Sequence, residues 1–335
     1  MVVQQKRHSR MDLQIINSYM KRLLSIFLLF SGLTLMAQET IRIGSYNVAE
    51  SDARMRNVNK GVFCAQRYYC NSADALAAMI ADLDCDIIGM QEVCDSMWVQ
   101  AGSGNIDLRK KVAECRGDKD YDWILYPNTK EGKISYDSAI GYKKSRFKKM
   151  ASGIFWMTDT PDVPHSVKGA PKGTVRPAVW AKFKSKQTGQ IFYFYATHLV
   201  LGSMHKDGGT EYNATHFVRV AQDRFEPKYP SFVVGDFNAG VTTAPQAYNI
   251  MTSGRWNDTF DYMKANGMQL LPEDLQYGTT PFNDESASRK DVIDHIMFYK
   301  AQPLKYWVDR RKFPTADGTL HFPSDHYPII AEFKF

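Results

Sequence analysis

The chain has 335 residues, 44% of them apolar, with 42 Lys and Arg against 36 Asp and Glu. That is ample for a sizeable core, as one large α/β domain or two small ones, and no repeat, low-complexity tract or Pro/Ser-rich linker breaks it. Without the first 37 residues the balance is 37 basic to 35 acidic, a net charge of +2, which excludes a strong general pull on polyanions or anionic membranes.

Met20-Lys21-Arg22 is a short basic start, Leu23–Met36 an apolar run, and Ala37-Gln38 a plausible cleavage point. The run is too short to span a bilayer comfortably, so the segment reads as a secretory signal peptide. Translation is expected to begin at Met20, because Met1–Tyr19 is polar and unpatterned. The mature chain, from Gln38, is then expected outside the cytoplasm, in the periplasm or beyond, as a monomer without an integral membrane segment. No cysteine follows the apolar run, which argues against a lipid anchor. The five cysteines are Cys64, Cys70, Cys85, Cys94 and Cys115. An odd number leaves at least one thiol free, and Cys64 with Cys70 is the first candidate disulfide.

In chain order, β-branched residues with period two predict a strand over Ile41–Val48, ending near Asn47. Asn71–Leu83 reads as a helix capped by Ser72, with Leu76, Met79, Ile80 and Leu83 on one face. Cys85–Met90 reads as a buried strand followed by Gln91 and Glu92. A helix is expected over Asp107–Cys115. Strands are expected over Asp122–Tyr126, Ser135–Tyr142, Phe147–Trp156, Ala178–Lys184 and Gln190–His198. Tyr212–Phe225 and Pro245–Met251 read as helices, and Thr252–Arg289 as irregular apart from the turn Gly278–Phe282. Val292–Tyr299, Leu304–Val308 and Tyr327–Phe335 complete the strands.

The stretch Ser231–Gly240 (SFVVGDFNAG) carries the sharpest signal. An apolar run, Phe232–Val234, stops at Gly235 and delivers Asp236 and Asn238 with one residue between them. Both can reach one metal ion, water or phosphate, although Asp, Asn and Gly are also ordinary turn residues. The same pattern recurs. Apolar runs end at Asn47, at Gln91 and Glu92, and at Thr197 and His198. Another leads into Asp294 and His295, and Ser324, Asp325 and His326 open the last run. Six such boundaries suggest strands converging on one cleft. Arg176, at the entrance of a strand, could offer a guanidinium to a phosphate oxygen or serve the strand structurally. Gly202–Thr210 reads as a specificity loop beside His198, and neither His205 nor His216 is expected to add a metal ligand. No GxSxG elbow, HExxH or phosphate-binding GxxxxGK[ST] is present.

The ordered set SYN, IIGMQEV, THL, VVGDFN, VIDHI and SDHYP, from Ile41 to Phe335, resembles the endonuclease/exonuclease/phosphatase superfamily. FWMTDTP (Phe155–Pro161) followed by RPAVWAKF (Arg176–Phe183) also resembles a bacterial branch of it. The resemblance implies a four-layer α/β sandwich, with two packed mixed β-sheets flanked by helices as in deoxyribonuclease I. It implies that Glu92, with Asn47 and Asp325, holds Mg²⁺ or Mn²⁺. His326 would be general base with Asp294 holding its other nitrogen, Asp236 and Asn238 would orient water and phosphate, and His198 would stabilise the transition state. Arg176 and Asn47 would meet the substrate. Where the family often has Arg two residues before the aspartate, this chain has Val292, and Arg289 or Lys290 would have to stand in.

The function expected is metal-assisted hydrolysis of a phosphate ester by an exported enzyme, foremost a nuclease or other phosphodiesterase. The alternatives are a phosphomonoesterase acting on sugar, inositol or nucleotide phosphates, a sphingomyelinase-like phospholipase, and an inactive binding module on the same fold.

Overall fold

In the computed structural model, residues 38–48, 73–93, 107–126, 128–130, 133–135, 138–171, 175–202, 208–281, 292–314, 318 and 320–335 are described. The elements in chain order are β1 (Thr40–Asn47), α1 (Ala73–Leu83), β2 (Ile87–Gln91), α2 (Leu108–Arg116), β3 (Tyr121–Ile124), β4 (Asn128–Lys130), β5 (Lys133–Ser135) and β6 (Ser138–Lys143). There follow β7 (Phe147–Trp156), β8 (Pro177–Ser185), β9 (Ile191–His198), α3 (Gly209–Arg224), β10 (Ser231–Asp236), α4 (Pro245–Thr252), β11 (Asn257–Asp258), α5 (Thr259–Ala265) and α6 (Pro272–Gln276). The last are β12 (Asp294–Tyr299), β13 (Gln302–Val308), β14 (Phe313–Pro314), β15 (Leu320–His321) and β16 (Ile329–Lys334).

Two six-stranded sheets result, ordered β13-β16-β1-β2-β6-β3 and β11-β12-β10-β9-β8-β7. Each contains one parallel pair, β1 with β2 and β9 with β10, among antiparallel ones. Alternation along a strand sends successive side chains to opposite faces. In β9, Phe192, Phe194 and Ala196 enter the core between the sheets, while Tyr193 and Tyr195 pack beneath α3. On the other sheet, Tyr46, Ile88 and Met90 pack outward under α1 and α2. The layers therefore run helix, sheet, sheet, helix, the four-layer sandwich expected. The sheets pack tightly at Gly89, where a Cβ would lie 2.2 Å from Val234 Cγ2. No side chain fits there. Glu39–Phe335 forms one compact unit, and among the described residues no helix is long and apolar enough to cross a membrane.

Helix α1 buries Leu76, Met79, Ile80 and Leu83, the expected face. Helix α2 is capped by Asp107, whose carboxylate accepts the Arg109 N–H, and ends at Gly117 with φ 70°. The irregular reading of Thr252–Arg289 is corrected: β11, α5 and α6 lie within it. Asp258 caps α5 by accepting the Asp261 N–H, and Pro272 opens α6. Elements of two to seven residues are too short to display a hydrophobic period. The strand expected from Ser135 begins at Ser138, and the last strand begins at Ile329, after Pro328.

The signal segment, Ser72, Cys64, Cys70, Cys94, His205, Arg289 and Lys290 lie outside the described residues. Among those described, buried Cys85 and exposed Cys115 are free thiols.

Candidate active site

The strand order carries the polar strand ends to one edge. His198 closing β9 pairs in register with Asp236 closing β10, and Asp236 pairs with Asp294 opening β12. Residues paired this way show their side chains on the same face, so the three form one row. In the facing sheet Asn47 closing β1 pairs with Gln91 closing β2, and Glu92 follows. The Asn47 amide spans the two sheets, donating to Asp236 Oδ2 at 3.0 Å and to Glu92 Oε1 at 3.2 Å. Glu92 and Asn238 hold left-handed backbones, φ 53° and 48°, unusual for residues other than glycine. Such conformations gather at sites where the fold dictates how a side chain is presented.

Asp236 is the hub. Its Oδ1 accepts the Asn238 N–H at 2.8 Å, while Oδ2 lies 3.5 Å from His198 Nε2 and 3.7 Å from His326 Nε2. The Asn238 amide lies 3.2 Å from His198 Nε2 and donates to the Leu199 carbonyl at 2.9 Å. His326 places Nδ1 2.9 Å from Asp294 Oδ2. Asp236, Asp294, His198 and His326 are all buried.

His295 is the instructive neighbour. One residue beyond Asp294 on β12, it faces the other side of the sheet, between Asp258 Oδ2 and the Ala239 carbonyl, each at 2.8 Å. His216, likewise outside the site, lies 3.0 Å from Asp159.

Burial pushes the Glu92 and Asp236 carboxyls above the ordinary range, against the neighbouring imidazoles and the Asn47 and Asn238 donors. For His326, burial disfavours the charged ring, yet Asp294, Asp236 and Asp325 together raise its pKa well above the usual value. Two close carboxylates, Asp236 buried and Glu92 half-buried, with the Asn47 amide between them, fit a hard divalent cation that takes oxygen ligands. The ligand atoms of Glu92, His198 and Asp236, and those of Asp236, Asp294 and His326, lie within 4.8 Å of one another.

The structure thus brings together Asn47, Glu92, His198, Asp236, Asn238, Asp294 and His326. It does not bring Asp325 into either close set. Flanked by Ser324, which bonds the Asn47 carbonyl, and His326, which bonds Asp294, this half-buried carboxylate reaches Glu92 only through its field. Arg176 enters β8 at the same edge, since Ala178 pairs with Thr197, and its carbonyl accepts the Met157 N–H at 2.9 Å.

Two contributors have no role assigned from the sequence, Thr279 within the turn Gly278–Phe282 and Ser324 at the head of SDHYP. Thr279 Oγ1 donates to Asp294 Oδ2 at 2.6 Å and accepts the N–H groups of Ile293 and Asp294, each at 3.2 Å. Ser324 Oγ donates to the Asn47 carbonyl at 2.7 Å and accepts the His326 N–H at 3.2 Å, tying the segment that leads into β16 to the end of β1 in the same sheet. The visible signal was a Thr in a glycine-led turn and a Ser opening SDH, both readable as turn residues.

The family model for the endonuclease/exonuclease/phosphatase family matches residues 44–326. The CCR4-Not complex 3'-5'-exoribonuclease subunit Ccr4 of Saccharomyces cerevisiae is 30% identical over 125 residues, 32% of this chain and 15% of the yeast protein, so the match spans a small part of that relative. Among solved structures, a mannosyl-6-phosphatase of Bacteroides thetaiotaomicron superposes with TM-score 0.65 over 88% of this chain and 100% of its own, at 24% identity. The catalytic domain of human Nocturnin, with bound sulfate, superposes with TM-score 0.56 over 89% and 96% at 16% identity. At these identities the structural likeness concerns the fold alone. The matched span runs from β1 to His326 and contains every residue of the buried cluster, and the chain belongs to the endonuclease/exonuclease/phosphatase family.

Proposed function

We propose that this chain is an exported, divalent-metal-dependent phosphoesterase, with a nuclease or other phosphodiesterase activity foremost. The observation that carries the reading is the continuous path Asn47–Asp236–His326–Asp294 across the two sheets, with Glu92 and His198 beside it. A phosphate ester resists hydrolysis because a nucleophile must approach an anion and lose a proton as it attacks. Glu92, Asp236 and Asn47 would hold Mg²⁺ or Mn²⁺, whose contribution is positive charge against the phosphate oxygens.

The remaining work falls to the chain's own groups. Asp294 holds Nδ1 of His326, leaving Nε2 turned toward Asp236. A water oriented by Asp236 and Asn238 gives its proton to Nε2 as it attacks phosphorus; the ester P–O bond breaks as the new one forms, Asp294 stabilises the imidazolium that results, and the departing alkoxide takes up a proton to leave as the alcohol. His198 faces the negative charge that develops on a non-bridging oxygen. The similarity to Ccr4, named as an exoribonuclease, supports the diester reading.

A second reading, hydrolysis of a sugar phosphomonoester, is supported by the likeness to a mannosyl-6-phosphatase over nearly the whole described chain. The low net charge of the mature chain also supports it. Turnover of a generic phosphodiester and a generic phosphomonoester, with Mg²⁺ and with excess chelator, separates the two. Hydrolysis of either ester only in the presence of metal is expected. No hydrolysis of any phosphate ester, or undiminished hydrolysis in chelator, would overturn the proposal.

A further inference from the structure

Behind Thr279 lies an ion pair that the chemistry above does not use. Asp274, on α6, is fully buried, receives the Val308 N–H at 3.3 Å and pairs with Arg310 Nη1 at 2.6 Å. The other arm of Arg310, Nη2, donates to the Gly278 carbonyl at 3.1 Å. Its guanidinium carbon lies 6.0 Å from the Tyr277 ring centroid and 5.5 Å from that of Tyr327. The next residue, Thr279, is gripped on both sides. Its carbonyl accepts the Tyr327 N–H at 2.7 Å, and its hydroxyl donates to Asp294 at 2.6 Å. Tyr327 directly follows His326. A line of contacts therefore runs Asp274, Arg310, Gly278, Thr279, Asp294, His326.

A buried ion pair is a poor stabiliser, since desolvation offsets much of its attraction and an apolar replacement often serves as well. What it provides is direction. The Arg310 fork, fixed at one end by Asp274, can set the position of the Gly278 carbonyl. The turn from Gly278 to Thr280 lies outside any helix or strand, so its placement depends on such contacts. We propose that Asp274 and Arg310 are positioning residues, which through the Gly278–Thr279 turn hold Asp294 in line with His326. This rests on the reading that Asp294 and His326 form the reacting pair.

Removing one partner alone would strand a buried charge, so the test uses the neutral double variant Asp274→Asn/Arg310→Gln. Its companion is Arg310→Lys, which keeps the charge and loses the second arm. Two readouts are taken on folded protein. The first is kcat and KM on a generic phosphodiester with Mg²⁺. The second is the downfield Nδ1–H proton resonance of His326, identified by its loss in His326→Ala. Both variants should lose up to about 10–100-fold in kcat, the range seen when the hydrogen-bond support of a metal site's ligands is removed, here transmitted through Thr279. KM should stay near the parent value and the resonance should move or broaden. In an Asp294→Asn background, Arg310→Lys should cost nothing further in kcat.

An unmoved resonance would overturn the proposal, as would a loss of the same factor in both backgrounds. Should the double variant fail to fold, Arg310→Lys decides. A parent protein inactive on every phosphate ester would sink the phosphoesterase reading instead, and the resonance would still decide whether the pair positions His326.

Discussion

Asp236 meets side chains from both sheets, and its carboxylate and that of Glu92 are each pushed toward protonation by burial. A cation would supply the charge this pair lacks. Glu92→Ala is therefore expected to abolish Mg²⁺- or Mn²⁺-dependent turnover and Mn²⁺ binding while leaving the unfolding midpoint near that of the parent. Mn²⁺ titration of the variant checks it, and undiminished binding would place the metal elsewhere. The His326 pKa also has a testable cause. A base works deprotonated, so activity falls as pH drops through that pKa. Asp294 is the largest influence raising it against burial. In Asp294→Asn the residual activity should keep its ascending limb at lower pH than the parent, which a pH–rate profile on both proteins would reveal; a limb shifted upward would contradict this.

At the scale of the elements, alternation separates two neighbouring residues into different roles. Asp294 serves the cleft, while His295 on the opposite face sits between two acceptor oxygens, Asp258 Oδ2 and the Ala239 carbonyl. Only a doubly protonated ring satisfies both. Burial opposes that charge, but Asp258 prevails and the His295 pKa is raised in the folded state. A raised folded-state pKa gives a stabilisation fully present below the unfolded value of about 6.5, and lost as pH rises through the folded value. The parent should thus lose more stability than His295→Gln between pH well below and well above about 6.5, read from denaturant midpoints. Equal losses would show that folding leaves the His295 pKa unchanged, and a smaller loss in the parent would show that the fold keeps the ring neutral; either would contradict this reading.

The same scale shows what the residues disclosed in advance. Runs such as Phe232–Val234 and Ile191–Ala196 end in polar residues, so the strands and most of the cluster were legible from the chain. The supports were not. Arg310 and Asp274 meet across 36 positions, and Thr279 and Asp294 across 15, pairings set by the fold rather than by any local period. Asp325 entered the expected ligand set through the family resemblance carried by SDHYP, and the structure leaves it half-buried outside the two close sets of ligand atoms. Helices α5 and α6 were missed because one or two turns bury too few residues to show a period.

For the whole molecule, two sheets packed through an apolar core fix the facing rows of strand ends. If the chain is exported as proposed, N-terminal sequencing of protein recovered outside the cytoplasm should begin near Gln38, and retention of Met1 on exported protein would refute the signal reading. The most direct test of the central claim is turnover per folded molecule, with Mg²⁺ and whichever generic phosphate ester is cleaved, for the parent, His326→Ala, Asp294→Asn and the double variant. General base catalysis contributes roughly 10²–10⁴-fold. Each single change should approach that loss, and the double variant should be little worse than His326→Ala, because both groups serve one proton transfer. Near-normal turnover in the singles, or two modest defects that simply multiply in the double variant, would contradict it.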